Sequence, residues 1–200
     1  DEYWTPAMFE NVKHAAASGV NLAFLSGNAI CVVVDALPSV DGRPARVLER
    51  VGLFGGIGDE AEGFPDMKRL TRHGPSESSL LGARNMYPVT GGADWICRKP
   101  DHWLFQGTGM KVGDAVPGLV GWEWHGDPAP IPGLEVVASG PTSNGKTSGT
   151  YVSTIYPGPK GNVVFNASTI WWSDGLSEPP GYLRPAVYTK TQAPDRRVQR

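Results

Sequence analysis

The chain is short of cysteine, of excess charge and of long apolar runs. Its two cysteines, Cys31 and Cys97, can build neither a disulfide framework nor a four-ligand structural zinc site. That usage suits a reducing compartment, and a cytoplasmic location is expected. The formal net charge is -2, with both signs scattered. A basic surface able to hold a phosphate backbone is therefore missing, and nucleic acid is not an expected partner. No segment approaches the roughly 20 apolar residues that a membrane helix needs. The opening Asp1-Glu2-Tyr3-Trp4 also lacks the basic start of a secretory signal, so no membrane partner is expected. An initiator Met is absent too, and only one obvious strand of a parallel α/β sheet is supplied, although such a sheet needs several βα units to cover both faces. The expectation is a single C-terminal domain of a longer protein over residues 1–200, with upstream strands missing.

What the chain has in quantity is Gly 26, Pro 18 and Trp 7, which favour turns over long helices and supply large rings for cores and pockets. Thr5-Pro6 reads as a helix N-cap followed by proline in the first turn, with Phe9, Val12 and Ala16 at helical spacing until Gly19. Val20 to Leu25 reads as a buried strand that ends in the turn Ser26-Gly27-Asn28, and a short helix is predicted from Ala29 to Val34. Residues 1–40 thus read as part of a doubly wound α/β unit. Past the Asp41-Gly42 turn, residues 41–200 read as β-rich and loop-rich. Strands are predicted over Arg46 to Val51, Ala93 to Cys97, Trp103 to Gln106, Leu119 to Trp124, Leu134 to Ala138, Thr150 to Ile155 and Asn162 to Asn166. Ser139 to Gly149 reads as a mobile hairpin tip.

The densest chemical cluster is Gly121-Trp122-Glu123-Trp124-His125-Gly126-Asp127. In an extended chain alternate side chains share a face, which would put Glu123, His125 and Asp127 together. Carboxylate beside imidazole suits a metal or proton transfer, with the tryptophans excluding water; a solvated strand face explains the same pattern. The stretch around Asp101-His102-Trp103 reads as a capped turn. Ser26-Gly27-Asn28 stands at the carboxyl end of a strand, where doubly wound folds present ligand-binding groups, but the G-x-S-x-G elbow is absent and Cys31 reads as a small core residue. The acids of Asp1-Glu2-Tyr3-Trp4 suit a helix N-terminus, whereas Tyr3 adds a phenol able to bind an oxidised iron.

Asp1 to Trp4, the run Gly19 to Asn28 and the segment from Gly92-Ala93-Asp94-Trp95 to Gly126 together resemble the C-terminal region of the N,N-dimethylformamidase large (beta) subunit family. The resemblance implies a glutamine-amidotransferase-like doubly wound sheet with β-rich additions. It also implies a mononuclear iron, held by two tyrosines and a glutamate, that serves hydrolysis of a small amide C–N bond. Tyr3 matches one tyrosine and Glu123 the glutamate. The second tyrosine is expected after the Asp41-Gly42-Arg43 turn, where Val47 to Val51 has none, and Glu49 is the oxygen donor available there. Glu123 and His125 are the catalytic candidates, with Trp122, Trp124 and Asn28 lining a substrate pocket. A small-molecule amide, a small subunit and further copies of the chain are the partners implied. The alternative is a non-catalytic domain of the same fold that binds a small ligand or carbohydrate through its tryptophans.

Overall fold

The computed structural model describes residues 2–55, 70–85, 92–121, 123–143, 145–146, 148–183 and 193–200. Strand β1 (Tyr3–Trp4) leads into helix α1 (Pro6–Ala17). The Thr5 hydroxyl accepts from the Met8 amide at 3.1 Å, and Pro6 occupies the first turn, where its missing N–H leaves nothing unsatisfied. Helix α1 buries Phe9 and Ala16. Gly19 ends it with φ 107, a conformation open to glycine.

Strands β2 (Leu22–Phe24), β3 (Val32–Leu37), β4 (Val47–Leu53) and β5 (Arg72–His73) follow. Helix α2 (Ser78–Leu81) precedes β6 (Ala83–Asn85), β7 (Ala93–Ile96), β8 (Ala115–Val120) and β9 (His125–Pro128). The chain continues through β10 (Glu135–Ser143), β11 (Ser148–Pro157), β12 (Val163–Asn166) and helix α3 (Trp172–Leu176). One sheet has the order β1-β3-β4-β5 and another β10-β11-β12-β2; β6 pairs with β9 and β7 with β8. Parallel pairing joins β1 to β3 and β2 to β12, whereas the β3–β4 and β10–β11 hairpins are antiparallel.

Four local expectations are corrected, the first being the strand expected over Leu119 to Trp124, which ends at Val120. The helix expected from Ala29 to Val34 is the start of β3 instead. Val32-Val33-Val34 is fully or almost fully buried, and a β-branched run that packs on both sides of a sheet is a poor helix former. Trp103–Phe105 forms a 3-10 turn rather than a strand, capped by His102, whose Nδ1 accepts from the Leu104 amide at 3.2 Å. The capped-turn reading of that segment therefore holds. Most of Ser139 to Gly149 is paired β10–β11 ladder, because Gly140 lets the strand pass close to Ile96: a Cβ there would lie 2.9 Å from the Ile96 side chain.

The largest core cluster packs Trp95, Phe105, Leu119, Trp124, Val137, Tyr151, Ile155 and Phe165 between β7–β8 and the β10–β12 sheet. A second joins Phe9 of α1 to Trp4, Val33, Phe54, Leu80, Leu81, Tyr156 and Val164. A third lies at Cys31, Val32, Val34 and Leu53, with Tyr3 against it.

Candidate functional site

At the carboxyl ends of the parallel pair β2–β12, where Phe24 stands beside Asn166, the chain makes a tight loop through Ser26 to Ile30. Two of its non-glycine residues have positive φ, Asn28 at 44 and Ile30 at 56. Such positions cost about 1–3 kcal/mol each and persist only where surroundings hold them. Asn85 supplies part of that hold, since its Nδ2 donates to the carbonyl of Ala29 at 3.0 Å and to that of Ile30 at 3.4 Å. Asn85 is in turn fixed through its backbone N–H, which donates to Oε1 of the buried Glu77 at 3.0 Å. Asn28 is buried, and its Oδ1 has no hydrogen-bond partner among the described residues.

The same loop abuts Glu123, for a Cβ on Gly27 would fall 2.0 Å from the Glu123 carbonyl oxygen. Burial, reinforced by the negative charge of Glu2, pushes the Glu123 carboxyl up to about 7. Burial and Glu2, to which the phenol donates a hydrogen bond, also raise Tyr3. Glu2 therefore links Tyr3 to Glu123. Arg50 lies over the Tyr3 ring at 5.4 Å from its centroid. Glu49, its neighbour in β4, is directed to the opposite face by strand alternation. It is exposed opposite Asp35, which pairs with Arg72 at 2.6 Å. Glu49 thus does not join Tyr3.

His125 is fully buried, and its hydrogen bonds fix its tautomer. Asn166 Oδ1 accepts from the Ser168 backbone N–H at 2.9 Å, so the oxygen, not the nitrogen, of that amide faces inward. His125 Nδ1 lies 3.0 Å from the same oxygen and must be the donor. The lone pair therefore sits on Nε2, which has no partner among the described residues. Burial lowers the ring to about 4, so the imidazole is neutral at physiological pH and unsuited to carry a proton there. Ser168 brackets the His125 backbone: its hydroxyl accepts from the His125 N–H and donates to the His125 carbonyl, both at 2.8 Å.

The alternation expected from Glu123 to Asp127 stops after His125. A bulge in the β6–β9 pairing leaves Asp127 unpaired, exposed and at φ 44, so it does not share the face of the other two. Trp124 is a core side chain and not a pocket wall: it is 2 % exposed and belongs to the largest cluster. Trp122 lies outside the described residues. Cys31 is buried in the core beside Tyr3, as its composition suggested. Sequence reasoning missed Asn85, Asn166 and Glu77. The available signal was asparagine closing a β-prone run, as in Val163-Val164-Phe165-Asn166, because strands are depleted in Asn.

An iron of the expected kind prefers hard oxygen donors once oxidised. The Tyr3 phenol beside the Glu2 and Glu123 carboxylates offers an all-oxygen set, in which burial first and the charge of Glu2 second raise Tyr3 and Glu123, while Arg50 partly offsets the rise at Tyr3. Among the described residues no three His, Cys, Asp or Glu side chains are gathered for a metal, so the fit depends on the phenol together with the two acids. No helix among the described residues is long and apolar enough to cross a membrane. No curated protein matches the chain. The family described as N,N-dimethylformamidase beta subunit-like, C-terminal, matches residues 1–186. The Tyr3–Glu123 neighbourhood therefore sits in a chain that belongs to the N,N-dimethylformamidase beta subunit-like C-terminal family.

Proposed function

We propose that the chain contributes the active site of a hydrolase that cleaves a small amide C–N bond, with Tyr3 and Glu123 as ligands of a mononuclear iron and Glu2 as the adjacent carboxylate. The observation that carries this reading is the half-buried Glu123 carboxyl, pushed to about 7 next to Glu2, which itself bonds to Tyr3. When bound, such an ion supplies Lewis acidity towards an amide carbonyl. Glu123 would hold the ion as a carboxylate, the form that a neighbouring cation favours over the neutral acid. The neutral His125 donates through Nδ1 to Asn166 Oδ1. Asn28, from the strained loop, borders the same region.

The glutamine-amidotransferase-like sheet belongs to the same proposal and is supported by the parallel pairs β1–β3 and β2–β12. A small subunit, further copies of the chain and a cytoplasmic setting are proposed with it; the family's description as beta subunit-like supports the first. A second reading, a small-ligand-binding domain, is favoured by one observation. A cavity of about 370 Å³ is lined by Trp95, Trp172, Phe105, Met110, Arg197 and Arg200 among others.

The deciding experiment is elemental mass spectrometry on full-length protein purified without chelator, beside Tyr3→Phe and Glu123→Ala. About one iron per chain, with a visible phenolate-to-iron band lost in Tyr3→Phe, is the expected result. Folded wild-type protein without stoichiometric metal overturns the hydrolase reading in favour of the second.

A further inference from the structure

The cavity of about 370 Å³ lies apart from the candidate metal ligands, since none of Glu2, Tyr3, Asn28 and Glu123 lines it. Its size is that of a small-molecule site. Two of its walls are indoles that meet edge to face: the Trp95 and Trp172 rings are 5.5 Å apart at 70°. Phe105 lies 5.9 Å from Trp95. The Trp95 N–H is already committed, donating to Ser153 Oγ at 2.7 Å and to the Ala167 carbonyl at 3.3 Å, so Trp95 offers a guest carbon surface and no donor. Trp103 also lines the cavity, yet it is 58 % exposed. A large ring left in water at the border of a concave site is the kind of surface that a ligand covers.

The polar part of the lining has one sign. It consists of Gln106, Thr108, Arg197 and Arg200, and no acid lines the cavity. Thr108 is committed, its hydroxyl donating to the Phe105 carbonyl at 2.7 Å and accepting from the Met110 amide at 3.2 Å. Arg197 is held by Asp195, to which Nε donates at 2.9 Å and Nη2 at 2.6 Å. That pairing fixes the guanidinium and offsets its charge, with Asp114 acting in the same sense, and leaves Nη1 without a partner among the described residues. Arg200 donates through Nη1 to the neutral Gly107 carbonyl, so its charge is the one that no described acid offsets. The segment that carries both arginines is pinned in place: the Asp195 amide donates to the Gly175 carbonyl at 2.9 Å, and Gln199 Nε2 to the Leu176 carbonyl at 2.7 Å. Donors held in this way lose little freedom when a ligand arrives.

We propose that this cavity binds a small aromatic monocarboxylate, its ring against Trp95, Trp172 and Trp103 and its carboxylate accepting from Arg200 and from the open edge of Arg197. Aromatic rings and the Met110 thioether favour a ring as guest, and a guanidinium fork matches the two oxygens of a carboxylate. The inference rests on the small-ligand reading and gives its ligand a chemical class. It holds with or without a metal at Tyr3 and Glu123, because the two sets of residues are disjoint.

The test is isothermal titration calorimetry on full-length protein treated with chelator, so that a carboxylate has no iron to bind. The probe is 2-naphthoate, with 2-naphthylmethanol as the uncharged ring and acetate as the ringless anion. The expected result is saturable binding of naphthoate at one site per chain, at least about tenfold tighter than naphthylmethanol, and no saturable binding of acetate. Arg200 is exposed, so Arg200→Gln should melt like the wild type while its affinity for naphthoate drops to that for naphthylmethanol. Trp103→Ala should weaken both aromatic compounds, and Glu123→Ala should change neither. Equal affinity of wild type and Arg200→Gln for naphthoate, or loss of naphthoate binding in Glu123→Ala, overturns the proposal. Naphthylmethanol bound as tightly as naphthoate overturns the carboxylate class but keeps the small-ligand reading. Folded protein that binds neither aromatic compound overturns both, and leaves the hydrolase reading to stand or fall on its metal content.

Discussion

Glu123 and His125 stand two residues apart, yet burial moves their proton affinities in opposite senses, and the stability of the metal-free protein should record both. For His125 the ring falls from 6.5 to about 4. Between these values the unfolded chain binds the extra proton, so stability is fully present above pH 6.5 and is lost as pH drops through about 4. At roughly 1.4 kcal/mol per pH unit the loss is about 3 kcal/mol. For Glu123 the carboxyl rises from 4.5 to about 7, so the folded state binds the extra proton. Stability is then fully present below pH 4.5 and falls as pH climbs through about 7. Because Glu123 is partly open to solvent, screening reduces the nominal figure of about 3 kcal/mol to about 1–2 kcal/mol. The two slopes oppose each other across their shared window, and each becomes visible when the other group is removed. Urea denaturation of chelator-treated wild type, Glu123→Gln and His125→Gln at half-unit steps from pH 4 to 7.5 measures them. The wild type minus His125→Gln difference should rise by about 3 kcal/mol with pH, and the wild type minus Glu123→Gln difference should fall by about 1–2 kcal/mol. Carboxylates such as Asp195, held low by Arg197, are common to all three proteins and cancel. Flat differences, or slopes of the reverse sign, would refute the reasoning.

Gly27→Ala should be among the most damaging single changes, because its new methyl would overlap the Glu123 backbone. A loss of about 2–4 kcal/mol in denaturation is expected, together with reduced metal content. Glu49→Gln should leave metal content and stability within about 0.5 kcal/mol of wild type, since the side chain is exposed and on the face opposite Tyr3; a loss of metal would reinstate it as a ligand. Trp124→Ala should cost about 3–5 kcal/mol by opening a cavity in the core. Its effect should appear in thermal melts before any change in substrate affinity.

Much of the local structure was legible because short-range chemistry determined it. Thr5-Pro6 specified the start of α1, and the Asp41-Gly42 turn placed the β3–β4 hairpin. The strands at Ala93, Thr150 and Asn162 were marked by their β-branched and aromatic runs. The Ala29–Val34 error shows the limit of that logic: a four- to six-residue apolar run reads alike as buried strand or helix until a neighbouring strand claims it. Of the candidate site, Tyr3 and Glu123 were named from the family resemblance, and the structure adds Glu2 as the charge that acts on both. The roles of Asn85 and Asn166 were not legible, because they arise from pairings with β9 and β2 that no local pattern encodes. The proton affinity of His125 likewise depends on burial by distant segments, and Asp127 was misplaced because a bulge has no simple signature in the residues flanking it.

Strand β2 finds its partner very late in the chain. The Val163 amide donates to the Asn21 side chain, 142 residues away in sequence, and among the described residues β2 pairs only with β12 within its sheet. Closing so long a loop is entropically slow. During synthesis β2 and the loop that carries Gly27 and Asn28 must wait, unpaired, until residues near 166 leave the ribosome. The neighbourhood of Glu123 should therefore be assembled in one of the last folding steps, and substitutions in β12 should slow the recovery of metal binding after refolding more than the recovery of the β10–β11 hairpin.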